Sequence, residues 1–243
     1  MSRAVVISGG GSGIGRAAAR WFTDAGDRVW IVGRRADQLA QVASNLGSTA
    51  TALVADVSTV DGAELVRERL SGEVVDVVVA GAGGTAAEVP TDLADIAESW
   101  NADLQQNLMT AVLLVEALRP ALRRPGARVV GIGSIGAQLG SGYGGSYGAA
   151  KAAMHAWIYW LAQDLGRDGI TANLVIPGFV PDTEFFGERL TSDFEAVRVD
   201  RSLVGRAGTS AEVAASIGFL AAEDSGYITG QLLGINGGMV LGR

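Results

Sequence analysis

Apolar residues in this chain concentrate in short runs, separated by longer stretches in which they recur every three or four positions. The runs are Val5-Val6-Ile7, Arg28 to Val32, Ala50 to Ala55, Val74 to Ala80, Val129 to Gly133, Ile170 to Ile176 and Gln231 to Ile235. Val5-Val6-Ile7, with no alternation, predicts a strand buried on both faces as in a parallel sheet, and the other runs read as further strands. The stretches Arg16 to Ala25, Ala36 to Leu46, a segment opening after Ser58, Asp103 to Leu122, Tyr147 to Leu165 and Glu212 to Ala222 read as helices. Strands alternating with helices from end to end predict an α/β fold, one doubly wound parallel sheet in a single domain over residues 1–243. The segment 182–204 breaks the pattern. It scatters Phe185, Phe186, Leu190 and Phe194 among charges with no steady period, and is expected to be a lid or substrate loop.

Two helices carry more apolar surface than one core face needs. Leu104, Leu108, Met109, Val112, Leu113, Val115 and Leu118 cover more than one stripe, and Met154 to Leu161 is apolar nearly all round. Such helices are buried on more than one side. The expectation is a homo-oligomer, a tetramer or a dimer, packed through them.

Composition narrows the function. The 243 residues carry a net charge of −7 and no cysteine. The acidic balance argues against a nucleic-acid surface. The lack of cysteine excludes disulfides, thiolate metal sites and thiol nucleophiles, and one histidine, His155, makes a transition-metal site improbable, so none is expected. No apolar run reaches the length of a membrane span, and the first strand begins by Ala4 without room for a signal peptide, so no membrane partner and a cytoplasmic location are expected.

The chemistry gathers at the ends of the strands. After Ile7 the chain reads Ser8-Gly9-Gly10-Gly11-Ser12-Gly13-Ile14-Gly15 and then turns helical. Glycines between a strand and a helix allow a tight turn and a close approach of backbone N–H groups to a pyrophosphate, which the helix N-terminus favours. Arg34 and Arg35 follow the second strand, where dinucleotide folds read the adenosine ribose and where arginine accommodates the extra phosphate of NADP. NADP(H) is therefore expected over NAD(H). Asp56, after the third strand, is placed either to accept from an adenine amine or to cap the next helix. Gly81-Ala82-Gly83-Gly84 forms a second glycine-rich corner. Tyr147 and Lys151, four residues apart, share one helix face. A positive charge beside a phenol favours its ionised form, which makes the pair a candidate general acid/base. Ser134, at the end of the fifth strand, is placed to meet the tyrosine and hold a substrate oxygen.

With these pieces in order, the chain resembles the short-chain dehydrogenase/reductase family over essentially its full length. The resemblance rests on Ser8-Gly9, Gly13-Ile14-Gly15, Asp56-Val57, Asn107, Ser134, Tyr147 with Lys151, Pro177-Gly178, Arg206-Ala207-Gly208, Ile228-Thr229-Gly230 and Gly237-Gly238. It implies a Rossmann-type sheet of seven strands and a catalytic tetrad of Asn107, Ser134, Tyr147 and Lys151. Tyr147 would be the acid/base, Ser134 would orient the carbonyl, Lys151 would lower the tyrosine pKa and hold the nicotinamide ribose, and Asn107 would sustain a water relay. Cofactor contacts are implied at Gly9, Ser12, Gly13, Ile14, Gly15, Arg34, Arg35, Asp56, Val57, Ala80, Gly81, Ala82, Tyr147, Lys151, Pro177, Gly178, Val180 and Thr183.

Two departures stand out. The family's Asn-Asn-Ala-Gly is Ala80-Gly81-Ala82-Gly83 here, which predicts a looser cofactor corner. Pro181-Asp182 also intervene before Thr183. The implied activity interconverts a ketone and a secondary alcohol on NADP(H), with a small-molecule substrate of which a 3-oxoacyl thioester is the first choice. The alternatives are an NAD-dependent alcohol, sugar or steroid dehydrogenase, and a non-catalytic dinucleotide-binding sensor. A sensor would usually have lost the tyrosine or the lysine. An epimerase or dehydratase would typically need a larger C-terminal region than the one after Pro177.

Overall fold

The computed structural model describes residues 2–85, 90–140 and 145–242. The seven expected strands form one sheet, in the order β3-β2-β1-β4-β5-β6-β7, and every pairing is parallel. The strands are β1 (Ala4–Ser8), β2 (Arg28–Gly33), β3 (Ala50–Val54), β4 (Val77–Ala80), β5 (Arg128–Ile132), β6 (Thr171–Pro177) and β7 (Leu232–Ile235). Apolar on both faces, they need helices on both sides. Helices α1 (Gly13–Asp24) and α2 (Ala36–Leu46) cover one face together with α9 (Ser210–Leu220). The other face is covered by α3 (Val60–Arg69), α5 (Thr110–Leu118) and α7 (Ser146–Leu165). The strand order reverses between β1 and β4. In open α/β sheets ligands bind at such a switch point, outside the carboxyl ends of the strands.

Three elements depart from the sequence pattern. The helix expected from Asp103 begins ten residues earlier as α4 (Leu93–Leu104), capped by Asp92, whose Oδ1 accepts from the Ala94 and Asp95 amides. Among its residues only Asp103 is buried, so no apolar stripe announced it. The α-helical ladder then widens into a π-turn over Gln105–Met109 before α5 resumes. The loop expected at 182–204 holds α8 (Ser192–Val199), capped by Thr191 and carrying Asp193 and Glu195 in its first turn. Those acidic residues suit the positive end of a helix dipole. The short α6 (Gly136–Leu139) follows β5. Residues 141–144, between the expected Ser134 and Tyr147 elements, lie outside the described residues.

Asp56 does not cap α3. That cap is Thr59, whose Oγ1 accepts from the Gly62 amide at 3.1 Å, while Asp56 Oδ1 accepts from the Ser58 amide and hydroxyl at 3.0 and 2.7 Å. No helix among the described residues is long and apolar enough to cross a membrane.

Candidate active site

A cavity of about 770 Å³ opens at the switch point, and it is lined by the loops that follow β1, β2, β3, β4, β5 and β6. Its first wall is the glycine loop. Gly9 has φ +71°, which a side chain would strain, and a Cβ on Gly15 would lie 2.2 Å from the Gly9 carbonyl oxygen. The loop can take this shape only without side chains at those positions. Gly9, Ser12, Gly13, Ile14 and Gly15 all line the cavity. Ser12 occupies the N-cap of α1 without a side-chain capping bond, and no acidic residue stands in the first turn. The helix therefore presents uncapped amides to the cavity, the arrangement a pyrophosphate needs.

The corner after β4 is not loose. Ser8 Oγ accepts from the Gly81 and Ala82 amides, both at 3.1 Å, and a Cβ on Gly81 would lie 2.9 Å from the Ser8 carbonyl oxygen and 2.9 Å from Ile132 Cδ1. The serine hydroxyl braces the backbone of this corner, and the fit leaves no room for an asparagine at Gly81. Gly81 and Ala82 line the cavity, whereas Ala80 does not. Ala80 is buried in the sheet core, so its expected place in the cofactor site is corrected.

The second wall brings together the four residues expected to act. Tyr147 and Lys151 are both buried on α7, with Lys151 Nζ 6.0 Å from the centre of the Tyr147 ring. Lys151 Nζ donates to the Ile132 carbonyl at 2.9 Å, which ties α7 to the end of β5 two residues before Ser134. Burial lowers the Lys151 pKa to about 8. Ser134 Oγ accepts from the Gly136 amide at 3.0 Å.

Asn107, fully buried in the π-turn, donates through Nδ2 to the Gly84 and Asp103 carbonyls at 2.9 and 3.0 Å, and its Oδ1 accepts from the Gly84 amide at 3.1 Å. A Cβ on Gly83 would lie 2.7 Å from Asn107 Oδ1 and 3.3 Å from Lys151 Nζ, so asparagine and lysine border the same glycine. Ser134, Tyr147, Lys151 and Asn107 all line the cavity that the glycine loop opens.

At the far end, Arg34 Nη1 stands 4.0 Å from Asp56 Oδ2. Burial pulls the Asp56 pKa up, but the Ser58 hydroxyl and amide and the Arg34 charge outweigh it, and the net shift is downward. Val57 lines the cavity from a buried position. Pro177, Gly178, Val180 and Thr183 complete the lining on the β6 side. The extra Pro181-Asp182 does not carry Thr183 away. Asp182 accepts from the Ser210 amide and hydroxyl at the start of α9, and Thr183 lies against the glycine loop, its Cγ2 3.0 Å from where a Gly13 Cβ would be.

Several lining residues were not among the site residues expected from the sequence. Phe185 stacks on Tyr147 with ring centres 5.3 Å apart, and it joins Phe186, Phe179 and Phe194 in one aromatic cluster. Arg198 and Arg201 reach the cavity from α8 and its end. Phe185, Phe186 and Phe194 were visible as a group, but only Phe194 lies on α8, and their meeting with Phe179 and Tyr147 is a tertiary contact that no local pattern shows. His155 lies outside the cavity lining, with Nε2 buried and unbonded and its pKa lowered by burial. No cluster of metal-ligating side chains occurs among the described residues.

Comparison with known proteins agrees with this geometry. Residues 9–240 match the family described as enoyl-(acyl carrier protein) reductase. The 3-oxoacyl-acyl-carrier-protein reductase FabG of Escherichia coli (strain K12) is 31% identical over 239 residues, covering 97% of this chain and 96% of the relative. An oxidoreductase of the short chain dehydrogenase/reductase family from Burkholderia thailandensis superposes with a TM-score of 0.89 at 31% identity, over 100% of this chain and 94% of that one. The Pseudomonas aeruginosa RhlG/NADP active-site complex gives 0.87 at 29%, over 98% and 96%.

Proposed function

The chain belongs to the short-chain dehydrogenase/reductase family, whose members are NAD(P)-dependent oxidoreductases, and we propose that it reduces a ketone to a secondary alcohol with NADPH. The observation that carries this reading is the convergence of Ser134, Tyr147, Lys151 and Asn107 on the cavity whose other wall is the glycine-rich loop after β1.

The uncapped start of α1 fits the cofactor, and Gly9, Gly13 and Gly15 leave the loop backbone open to it. In the proposal Gly9 and Ser12 to Gly15 hold its pyrophosphate, Asp56 and Val57 its adenine, and Gly81 and Ala82 a ribose. Tyr147 and Lys151 hold the nicotinamide ribose, and Pro177, Gly178, Val180 and Thr183 the carboxamide. When bound, the nicotinamide ring supplies the hydride.

Tyr147 donates a proton from its phenol oxygen to the carbonyl oxygen, and Ser134 orients that oxygen with a second hydrogen bond. The Lys151 ammonium favours the tyrosinate that remains. Asn107 has both N–H bonds and one lone pair engaged, so its share in a water relay is confined to the second lone pair of Oδ1. Its larger part is to brace the Gly83-Gly84 corner.

Arg34 and Arg35 support NADP(H) over NAD(H), and so does the likeness to RhlG, whose structure is an NADP complex. The likeness to FabG favours a 3-oxoacyl thioester as substrate. The aromatic cluster beside Tyr147 suits an apolar chain next to the carbonyl. We further infer self-association through α4, α5 and α7, where Trp100, Tyr159 and Trp160 stand exposed. Following NADPH oxidation with 3-oxoacyl thioesters and simple ketones tests the reading. Turnover of neither class would refute it.

A further inference from the structure

The lid reaches across the cavity and touches the adenosine end. Glu184 Oε2 stands 2.8 Å from Arg35 Nη1, and Glu184 Oε1 accepts from Gln38 Nε2 at 2.8 Å. Arg35 is the residue before α2 and Gln38 lies in its first turn. Arg35 Nη2 also donates toward Ser12 Oγ in the glycine loop at 3.5 Å. One lid carboxylate thus joins three walls of the cavity. It adjoins Thr183, which lies against Gly13.

We propose that Glu184 is a specificity-determining latch that competes with a ribose 2′-phosphate for Arg35. This rests on the reading of Arg34 and Arg35 as the phosphate site. Each of these arginines already faces a carboxylate, Arg34 facing Asp56 at 4.0 Å and Arg35 facing Glu184 at 2.8 Å. The arginines therefore do not present two free positive charges to an incoming phosphate. A dianion arriving there must displace Glu184 or sit beside it, and like charges at such distances repel. A cofactor without the phosphate leaves the latch in place. By linkage, a phosphate that takes Arg35 releases the lid by the same factor as the closed lid weakens the phosphate. The chain's preference for NADP(H) is then set below what two arginines would give, in exchange for a lid whose closure depends on which cofactor is bound.

The test uses fragments and needs no turnover. Dissociation constants of adenosine 2′,5′-bisphosphate and of adenosine 5′-monophosphate are measured by calorimetry for wild type, Glu184→Gln, Arg35→Ala and the double variant. Glutamine keeps an oxygen for the Gln38 amide but loses the charge. Both substituted side chains are largely exposed, so the fold should survive. The expected result is that Glu184→Gln tightens the bisphosphate about three- to fivefold, leaves the monophosphate unchanged within about 1.5-fold, and has no such effect once Arg35 is alanine. An unchanged ratio of the two constants in Glu184→Gln overturns the latch, as does a gain that persists without Arg35. A wild type that binds both fragments equally sinks the NADP(H) reading instead, and a ratio that rises in Glu184→Gln would still support the latch.

Discussion

Asp103 Oδ2 accepts a 2.6 Å hydrogen bond from Ser146 Oγ, and both residues are buried. The pair joins the last turn of α4 to the first residue of α7, immediately before Tyr147. Asp103 Oδ1 also accepts from Gln106 Nε2 at 2.9 Å, and the Asp103 carbonyl accepts from Asn107 Nδ2 at 3.0 Å. The buried carboxylate thus braces Tyr147 from behind through Ser146, while the main-chain carbonyl of the same residue holds Asn107. Asp103→Ala strands the buried Ser146 hydroxyl, at a cost of about 1–3 kcal/mol for a buried group left unsatisfied, while the half-buried Gln106 amide can turn to the cavity. Urea unfolding should show that loss, and the kcat of the folded variant should fall more than its affinity for NADPH.

Lys151 gives the protein a pH signature. Burial lowers its pKa to about 8 from the ordinary 10.5, so its charge beside Tyr147 is present at neutral pH and fades as pH rises through about 8. The kcat/KM for ketone reduction should therefore decline above that value, and Lys151→Arg, which keeps its charge, should move the decline to higher pH. Between about 8 and 10.5 the unfolded chain binds more protons at this site than the folded one. The Lys151 contribution to stability thus rises with pH over that window and is smallest below it. A rate profile flat from pH 7 to 10 would contradict the role given to the lysine.

Arg34 is exposed and only 4.0 Å from Asp56, and it is the arginine not held by the lid. A charge-assisted hydrogen bond from guanidinium to phosphate is worth roughly 1.5–3 kcal/mol, or about ten- to a hundredfold in preference. Arg34→Ala should lower the ratio of kcat/KM with NADPH to that with NADH by that factor. An unchanged ratio would remove Arg34 from phosphate recognition.

The exposed Tyr159 and Trp160 on α7 lie on the helix whose opposite side carries the buried Met154, Ile158 and Leu161. Light scattering at micromolar concentration should report a multiple of the 24.9 kDa chain mass. A 24.9 kDa particle would refute self-association through these helices.

Much of this architecture was legible because its causes are local. Short, mostly apolar runs located all seven strands, and α2 keeps the bounds Ala36–Leu46 expected from the sequence. The proposed catalytic residues were legible because Tyr147 and Lys151 sit at helical spacing beside a strand-end serine. What escaped was decided by tertiary contact. The Asp103–Ser146 bond links positions 43 apart, and Glu184 meets Gln38 across 146 residues. The π-turn that carries Asn107 leaves no trace in an apolar pattern. The cofactor corner looked loose because the missing asparagines were visible, whereas the Ser8 hydroxyl that braces its backbone acts from 73 and 74 residues away.

The central claim is that Tyr147 delivers the proton, and Tyr147→Phe tests it most directly. The substitution removes one hydroxyl and keeps the ring that packs on Phe185 at 5.3 Å, so the cavity persists, and of the proposed cofactor contacts only the phenol's share in holding the nicotinamide ribose beside Lys151 is lost. A general acid typically contributes about 10²–10⁴-fold. The account predicts that single-turnover reduction of a ketone accepted by the wild type falls by at least that lower factor, while the dissociation constant for NADPH, read from its fluorescence, stays within about threefold by the same reasoning. A variant that retains most of the wild-type rate would contradict the account.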